Sequence, residues 1–263
     1  MGESGEPVIT VPDPHQRAVP PPGSNSRSAA MTTTDPQRSL VIPAYNEEHR
    51  ITHFLDSITG FDGELIVVCD GTDHTADTVE VIASRRPGLR IRCLRFDHRL
   101  GKGGGVIAGL KAARAPLVGY VDADGSTAMD EMLRLFSRLP DADGAIGSRW
   151  VEGSTLTVRQ GVLRQVESRL FNLLIRLLFG LDFHDTQCGA KVFTREAVAA
   201  VLPHMTATGF EFDVELLWRM RTAGFRIDEV PIEWQNKGDS RVKKRDMLRM
   251  LRGLLAVRFS GTA

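Results

Sequence analysis

The chain has 263 residues, 42% hydrophobic and 25% charged, enough to bury a sizeable core in one α/β domain or, at most, two small ones. Lys and Arg number 33 and so do Asp and Glu, so no overall field draws the protein to nucleic acid. No uncharged apolar run reaches the ~18 residues of a membrane span, which limits any bilayer contact to a peripheral one.

Residues 1–38 are rich in Pro, Ser and Thr and hold no apolar stretch that could serve as a signal-peptide core. They are expected to be disordered, and Met31 is a candidate for the true start. From Ser39 onward, short apolar runs alternate with helical periodicity. Strands are predicted at 39–44, 64–69, 90–96, 117–121 and 144–150, and helices near 46–59, 74–86, 102–114 and 127–138. This alternation predicts βαβ units, hence an α/β fold with a mostly parallel sheet and helices on both faces. The second half differs: an apolar helix at 162–179 carries Arg164, Arg169 and Arg176, a helix follows at 211–223, and "RIDEVPIEW" reads as strand. A last helix at 242–258 is basic, with seven Lys or Arg and one acid from Arg241 through Arg258. The expected organisation is therefore an extension at 1–38, a catalytic-type domain at 39–240 and a basic amphipathic segment at 241–263. That segment is expected to touch an anionic membrane surface. The three cysteines, Cys69, Cys93 and Cys188, form no C-x-x-C pair, a usage suited to a reducing cytosol.

Ligands of parallel sheets bind at the carboxyl ends of strands. There the sequence places "YVDADGST", with Asp122 and Asp124 just past a strand. Alone, two aspartates fit a solvated turn. At a strand end they also suit Mg²⁺ or Mn²⁺, hard cations that bridge to substrate phosphates. Neighbouring strand ends carry "VIPAYNEE" (41–48) and "VVCDGTDHT" (67–75). "LGKGGGVIAG" offers Lys102 and backbone N–H groups at a helix start, an arrangement that can hold a diphosphate. Gly103, Gly105 and Ala108 also satisfy G-x-G-x-x-A, but the spacer "DHRLGK" separates them from the preceding strand, against a dinucleotide fingerprint. A P-loop fails because Gly103, not Ser or Thr, follows Lys102. His49 and His53 share a helix face with no third ligand nearby and read as solvated.

These motifs in this order, with "GSRW" (147–150), "DTQCGAKVF" (185–193), "GFEFDVELLWR" (209–219), "VPIEW" and "GDSRV", resemble the inverting glycosyltransferases of family 2. Among them, the likeness is to the dolichyl-phosphate and polyprenyl-phosphate hexosyltransferases, the glucosyl branch in particular. The resemblance implies a GT-A fold, a Rossmann-like mostly parallel sheet. It assigns Pro43, Tyr45, Glu47 and Asp70 to the nucleotide, Asp122 and Asp124 to diphosphate and metal, and Ser126 to a third metal-side position. Arg149, Arg164, Ser168 and Arg241 match positions that contact phosphates of the donor or of a lipid-phosphate acceptor. Asp213 falls where hydroxyl-acceptor relatives keep a general base. This chain has Cys69-Asp70 where the family often has two acids. The implied reaction moves a hexose from a nucleotide-sugar, UDP favoured, to a polyprenyl phosphate. A transferase acting on a soluble hydroxyl acceptor and a non-catalytic nucleotide-sugar-binding protein are the alternatives.

Overall fold

A computed structural model describes residues 35–156, 162–235 and 244–260, the side chains of 162–170, 244–248 and 260 excepted. The extension expected at 1–38 thus lies almost wholly outside the described residues. The strands are β1 (Arg38–Ala44), β2 (Glu64–Cys69), β3 (Arg90–Arg95), β4 (Leu117–Val121), β5 (Gly144–Ser148), β6 (Thr155–Leu156), β7 (Ala190–Thr194), β8 (Ile227–Pro231) and β9 (Glu233–Trp234). The helices are α1 (Ile51–Ser57), α2 (Thr75–Arg85), α3 (Gly101–Ala112), α4 (Met129–Phe136), α5 (Val162–Phe179), α6 (Arg195–Val201), α7 (Phe212–Thr222) and α8 (Lys244–Ser260).

Seven strands form one sheet in the order β3-β2-β1-β4-β7-β5-β8, and β6 and β9 form a small parallel pair. Side chains alternate across it with the period of two that extended backbone imposes. Leu40, Ile42 and Ala44 enter one core with α1, α2 and α4, while Val41 enters the other with α3, α5, α6, α7 and α8. The helices thus cover both faces, as the expected α/β class requires. At the edge, β3 carries Arg90, Arg92 and Arg95, and such charges discourage pairing with another chain. The amino ends of β1 and β2 are fastened by buried Glu64, which accepts hydrogen bonds from Ser39 Oγ (2.6 Å), Arg92 Nη1 (3.0 Å) and the Arg114 N–H (2.9 Å).

One sequence expectation needs correction, and one strand adds to what the sequence offered. The first helix begins at Ile51 rather than Asn46, because Asn46 takes a left-handed φ of 53° and turns the chain. The "GAKVF" segment becomes β7, which runs antiparallel to both β4 and β5 and interrupts the otherwise parallel sheet. Its amino end, not its carboxyl end, therefore lies at the rim beside Asp122.

Candidate active site

The core of the site is a ladder of alternating charges. Tyr120 is the fourth residue of β4, and Asp122 lies one residue past the strand. Lys191 faces Tyr120 across the β4–β7 pair. Lys102 comes from the first turn of α3 and Asp213 from the first turn of α7. Lys102 Nζ lies 2.8 Å from Asp122 Oδ1 and 3.9 Å from Asp213 Oδ2. Lys191 Nζ donates to Asp213 Oδ1 at 2.5 Å and to the carbonyl of Cys188, and the Tyr120 hydroxyl donates to the same Asp213 oxygen at 2.5 Å. Burial and then the Asp213 charge push the Tyr120 phenol well above its ordinary pKa, so it stays a donor. Burial would raise the Asp122 carboxyl, but Lys102, then Lys191 and Arg149, outweigh it and hold it below the usual range. For Lys102 burial acts downward, yet Asp122, Asp213 and Asp124 keep it firmly protonated.

Asp122 also leans on the backbone of the strand beside it. Its N–H donates to the Gly189 carbonyl at 3.1 Å, and a Cβ at Gly189 would stand 1.9 Å from Asp122 Oδ2. Only glycine fits there.

Asp124 is left differently. Its Oδ1 accepts the Ser126 N–H at 2.8 Å, and its Oδ2 has no partner among the described residues. The two aspartates are therefore not equivalent: Asp122 is neutralised within the protein and Asp124 has the open carboxylate. No cluster of three or more His, Cys, Asp or Glu among the described residues could cage a cation. A single open carboxylate fits Mg²⁺ or Mn²⁺ that takes its remaining oxygens from diphosphate and water, the usual habit of Mg²⁺ at phosphate sites. Ser126 is buried, with its backbone engaged at both ends, the N–H on Asp124 and the carbonyl accepting from Gln235. It shapes the aspartate loop.

The expected nucleotide residues line the ends of β1 and β2. Pro43 belongs to β1, and Tyr45 follows it with the Arg99 guanidinium stacked over its ring at 4.1 Å. Asp70 Oδ2 accepts the N–H groups of Leu100 (2.8 Å) and Gly101 (3.2 Å), fastening the start of α3. Glu47 makes a two-point ion pair with Arg50 at 2.7 and 2.9 Å, and its N–H donates to Thr75 Oγ1.

In "LGKGGG", where a diphosphate site is expected, four backbone N–H groups are already engaged within the protein. The N–H groups of Leu100 and Gly101 are held by Asp70, and those of Gly103 and Gly104 donate to the Gly209 and Thr208 carbonyls. The glycines serve packing: a Cβ at Gly103 would lie 2.5 Å from Phe212 Cβ, and one at Gly109 would lie 2.2 Å from Val41 Cγ1. Gly103 brings α3 close enough to α7 for Lys102 to reach Asp213, and Gly109 seats the helix on β1.

Arg149, just past β5, grips Asp185 at two points, Nε to Oδ2 at 2.7 Å and Nη2 to Oδ1 at 2.9 Å, and its own N–H adds a third bond to Oδ2. Its Cζ lies 5.9 Å from the Trp150 ring centre and 5.5 Å from that of Trp234. Nη1 makes no hydrogen bond within the described residues. Arg164 and Ser168 fall on α5 where side chains are outside the described residues, and Arg241 is outside them altogether.

Sequence reasoning missed Lys191, Tyr120, Asp185 and Arg99. For Lys191 a signal existed: a lysine inside the apolar run "AKVF" must be exposed at an edge or paired when buried. Asp213, which falls where hydroxyl-acceptor relatives keep a general base, is only 2% exposed and anchors the ladder.

Residues 39–202 match Glycosyl transferase family 2. The chain belongs to that family. Family 2 relatives include glycosyltransferase AglD of Haloferax volcanii, 36% identical over 87% of this chain, which spans only 37% of AglD's length. The dolichyl-phosphate beta-glucosyltransferase ALG5C of Trichomonas vaginalis is 35% identical over 94% of this chain and 76% of its own. The Saccharomyces cerevisiae dolichyl-phosphate beta-glucosyltransferase is 29% identical over 84% and 74%. Among solved structures, glucosyl-3-phosphoglycerate synthase from Mycobacterium tuberculosis, in complex with Mn²⁺, UDP-glucose and phosphoglyceric acid, superposes with a TM-score of 0.63. It is 22% identical and covers 86% of this chain and 79% of its own. The family 2 chain thus has the GT-A fold, and none of its described helices is long and apolar enough to cross a membrane.

Proposed function

We propose that this glycosyltransferase moves glucose from UDP-glucose to a dolichyl or other polyprenyl phosphate, inverting the anomeric configuration. The observation that carries the reading is the extent of likeness to the Trichomonas dolichyl-phosphate beta-glucosyltransferase: 94% of this chain takes in both the donor rim and the later helices. UDP-glucose is α-linked, so a β-glucosyl product of the kind named for the relatives requires inversion.

Asp124 is the residue to hold Mg²⁺ or Mn²⁺, through the carboxylate oxygen that lacks a protein partner. A bound divalent ion there supplies Lewis-acid stabilisation of the charge that grows on the departing diphosphate. Lys102 keeps Asp122 fixed beside it. Arg149, one edge on Asp185, presents Nη1 to a phosphate oxygen. The acceptor phosphate has a second pKa of about 6, is mostly dianionic at neutral pH, and attacks without losing a proton. No general base is needed, in keeping with Asp213 being buried and hydrogen-bonded. The nucleotide-sugar donor and three free cysteines support a cytoplasmic setting.

The test is transfer from UDP-glucose and GDP-mannose to polyprenyl phosphate in detergent and to soluble alcohols, with Mg²⁺, with Mn²⁺ and with EDTA. Glucosyl polyprenyl phosphate formed only with metal supports the proposal. Transfer confined to alcohols, or nucleotide binding without turnover, overturns it.

A further inference from the structure

We infer that Cys69 and Cys93 form a modification site, joined as a disulfide by peroxide, which releases the start of α3 from Asp70; the consequence for a nucleotide-sugar donor rests on the transferase reading above. The two sulfurs lie 3.7 Å apart on neighbouring parallel strands. Cys69 ends β2 and is buried, whereas Cys93 stands inside β3 and is half-buried. Both side chains face the core shared with α2, where Cys93 Sγ comes within 4.0 Å of the Ala76 carbonyl oxygen. In the ladder Cys69 pairs with Arg95 and Cys93 with Val67, so the thiols are offset by one two-residue step on one face. A disulfide needs the sulfurs roughly 1.7 Å closer, at about 2.05 Å. The strand end is the part that yields: Cys93 has paired neighbours on both sides in β3, while β2 stops at Cys69.

That end carries the donor rim. The Cys69 carbonyl accepts the Phe96 N–H at 2.9 Å, and the next residue, Asp70, holds the N–H groups of Leu100 at 2.8 Å and Gly101 at 3.2 Å. The Gly101 bond already stands at the long limit for such a contact, so a shift of a few tenths of an ångström breaks it. Lys102, the next residue, then loses its fixed approach to Asp122. Cys93 is the attacking thiol, because the Cys69 S–H favours the Cys93 thiolate, while the same contact and burial hold Cys69 protonated. The Cys93 thiolate attacks one peroxide oxygen. The O–O bond breaks, leaving a sulfenic acid and a hydroxide that the released thiol proton turns to water. Cys69 then gives up its proton as its sulfur attacks that of Cys93; the S–S bond forms, the S–O bond breaks, and a second water leaves. Two thiols lose two electrons in all, and hydrogen peroxide takes them.

The experiment treats the full chain with hydrogen peroxide and maps its disulfides by mass spectrometry, before and after dithiothreitol. A Cys69–Cys93 bond that dithiothreitol reverses is expected, with Cys188 still a free thiol. In the oxidised protein the Leu100 and Gly101 amides should exchange with deuterium about tenfold faster, and UDP with Mn²⁺ should bind about tenfold more weakly. Cys93→Ser and Cys93→Ala should bind UDP as the reduced wild type does, melt close to it, and show neither effect after peroxide. No Cys69–Cys93 bond, sulfinic acid at Cys93 in its place, or a bond that leaves either the two amides or UDP binding unchanged overturns the inference. So does a peroxide-induced loss of binding that the Cys93 variants share. Reduced protein that binds no UDP overturns the donor reading instead, and the two amides alone then decide the inference.

Discussion

Replacing Lys191 by Met removes one ammonium from the interior and leaves side-chain volume nearly unchanged, so the cost is electrostatic rather than a cavity. Lys191 is 0% exposed, Asp213 is 2% exposed, and their contact is 2.5 Å. Breaking a buried pair by removing one partner costs about 3–5 kcal/mol, because the remaining charge is stranded. Here Asp213 keeps the Tyr120 hydroxyl on Oδ1 and Lys102 at 3.9 Å from Oδ2, which argues for the lower end, about 3 kcal/mol. At about 2–4 °C per kcal/mol for a domain of this size, the melting temperature should fall by roughly 6–12 °C. Removing both charges in Lys191→Met/Asp213→Asn strands neither, so the double variant should be more stable than the sum of the single losses by about 1.5–3 kcal/mol. Urea denaturation of the four proteins measures the cycle. A Lys191→Met loss below about 1 kcal/mol, or strictly additive single losses, would refute the ladder as a coupled unit.

Asp124→Ala should lower turnover by about a hundredfold or more and abolish Mn²⁺ binding, read independently as the free Mn²⁺ resonance signal, whereas Asp122→Asn should retain Mn²⁺ binding. Burial would raise the Glu64 carboxyl from its ordinary 4.5, but Ser39, the Arg114 N–H and Arg92 bring it below that value. Its contribution is therefore full above the unfolded pKa and lost as pH falls through the folded one. Glu64→Gln should lose stability at neutral pH, and the gap to wild type should close as pH falls through the lowered folded pKa; a gap independent of pH would show that the charge contributes nothing. Burial, and then Asp185, push the Cys188 thiol up to about 12, while hydrogen bonding with Cys69 lowers that of half-buried Cys93. Native-state labelling should modify Cys93 first, and equal rates at Cys188 would contradict its burial.

Elements whose character is set within the segment were legible. The runs 64–69 and 117–121 and the helix 162–179 have the bounds read from their apolar pattern. The direction of β7 was not, because pairing with β4 and β5 is decided by residues some fifty to seventy positions away. The same limit applies to the glycines of α3. Their local pattern resembles an anion loop, but Phe212, over a hundred residues after Gly103, and Val41, far before Gly109, make these two packing positions. Asp122 and Asp124 look alike in sequence and differ in the fold, because only a tertiary neighbour, Lys102, can tell them apart.

The Arg149–Asp185 pair closes the neck of an excursion. The chain leaves the sheet after Ser148 and re-enters at Ala190, and those two strands lie side by side, so 149–189 departs from and returns to one place. A clasp spanning 36 positions holds that neck with two parallel bonds and a backbone contact. Beyond the clasp the excursion is held a second time, by Ile175 and Phe179 of α5 in the core and by β6 against β9, so the strands that carry Tyr120 and Lys191 keep a return path fixed at both its neck and its body. Arg149→Lys, which loses the two-point grip on Asp185, is the substitution that would loosen the neck while leaving that second attachment in place.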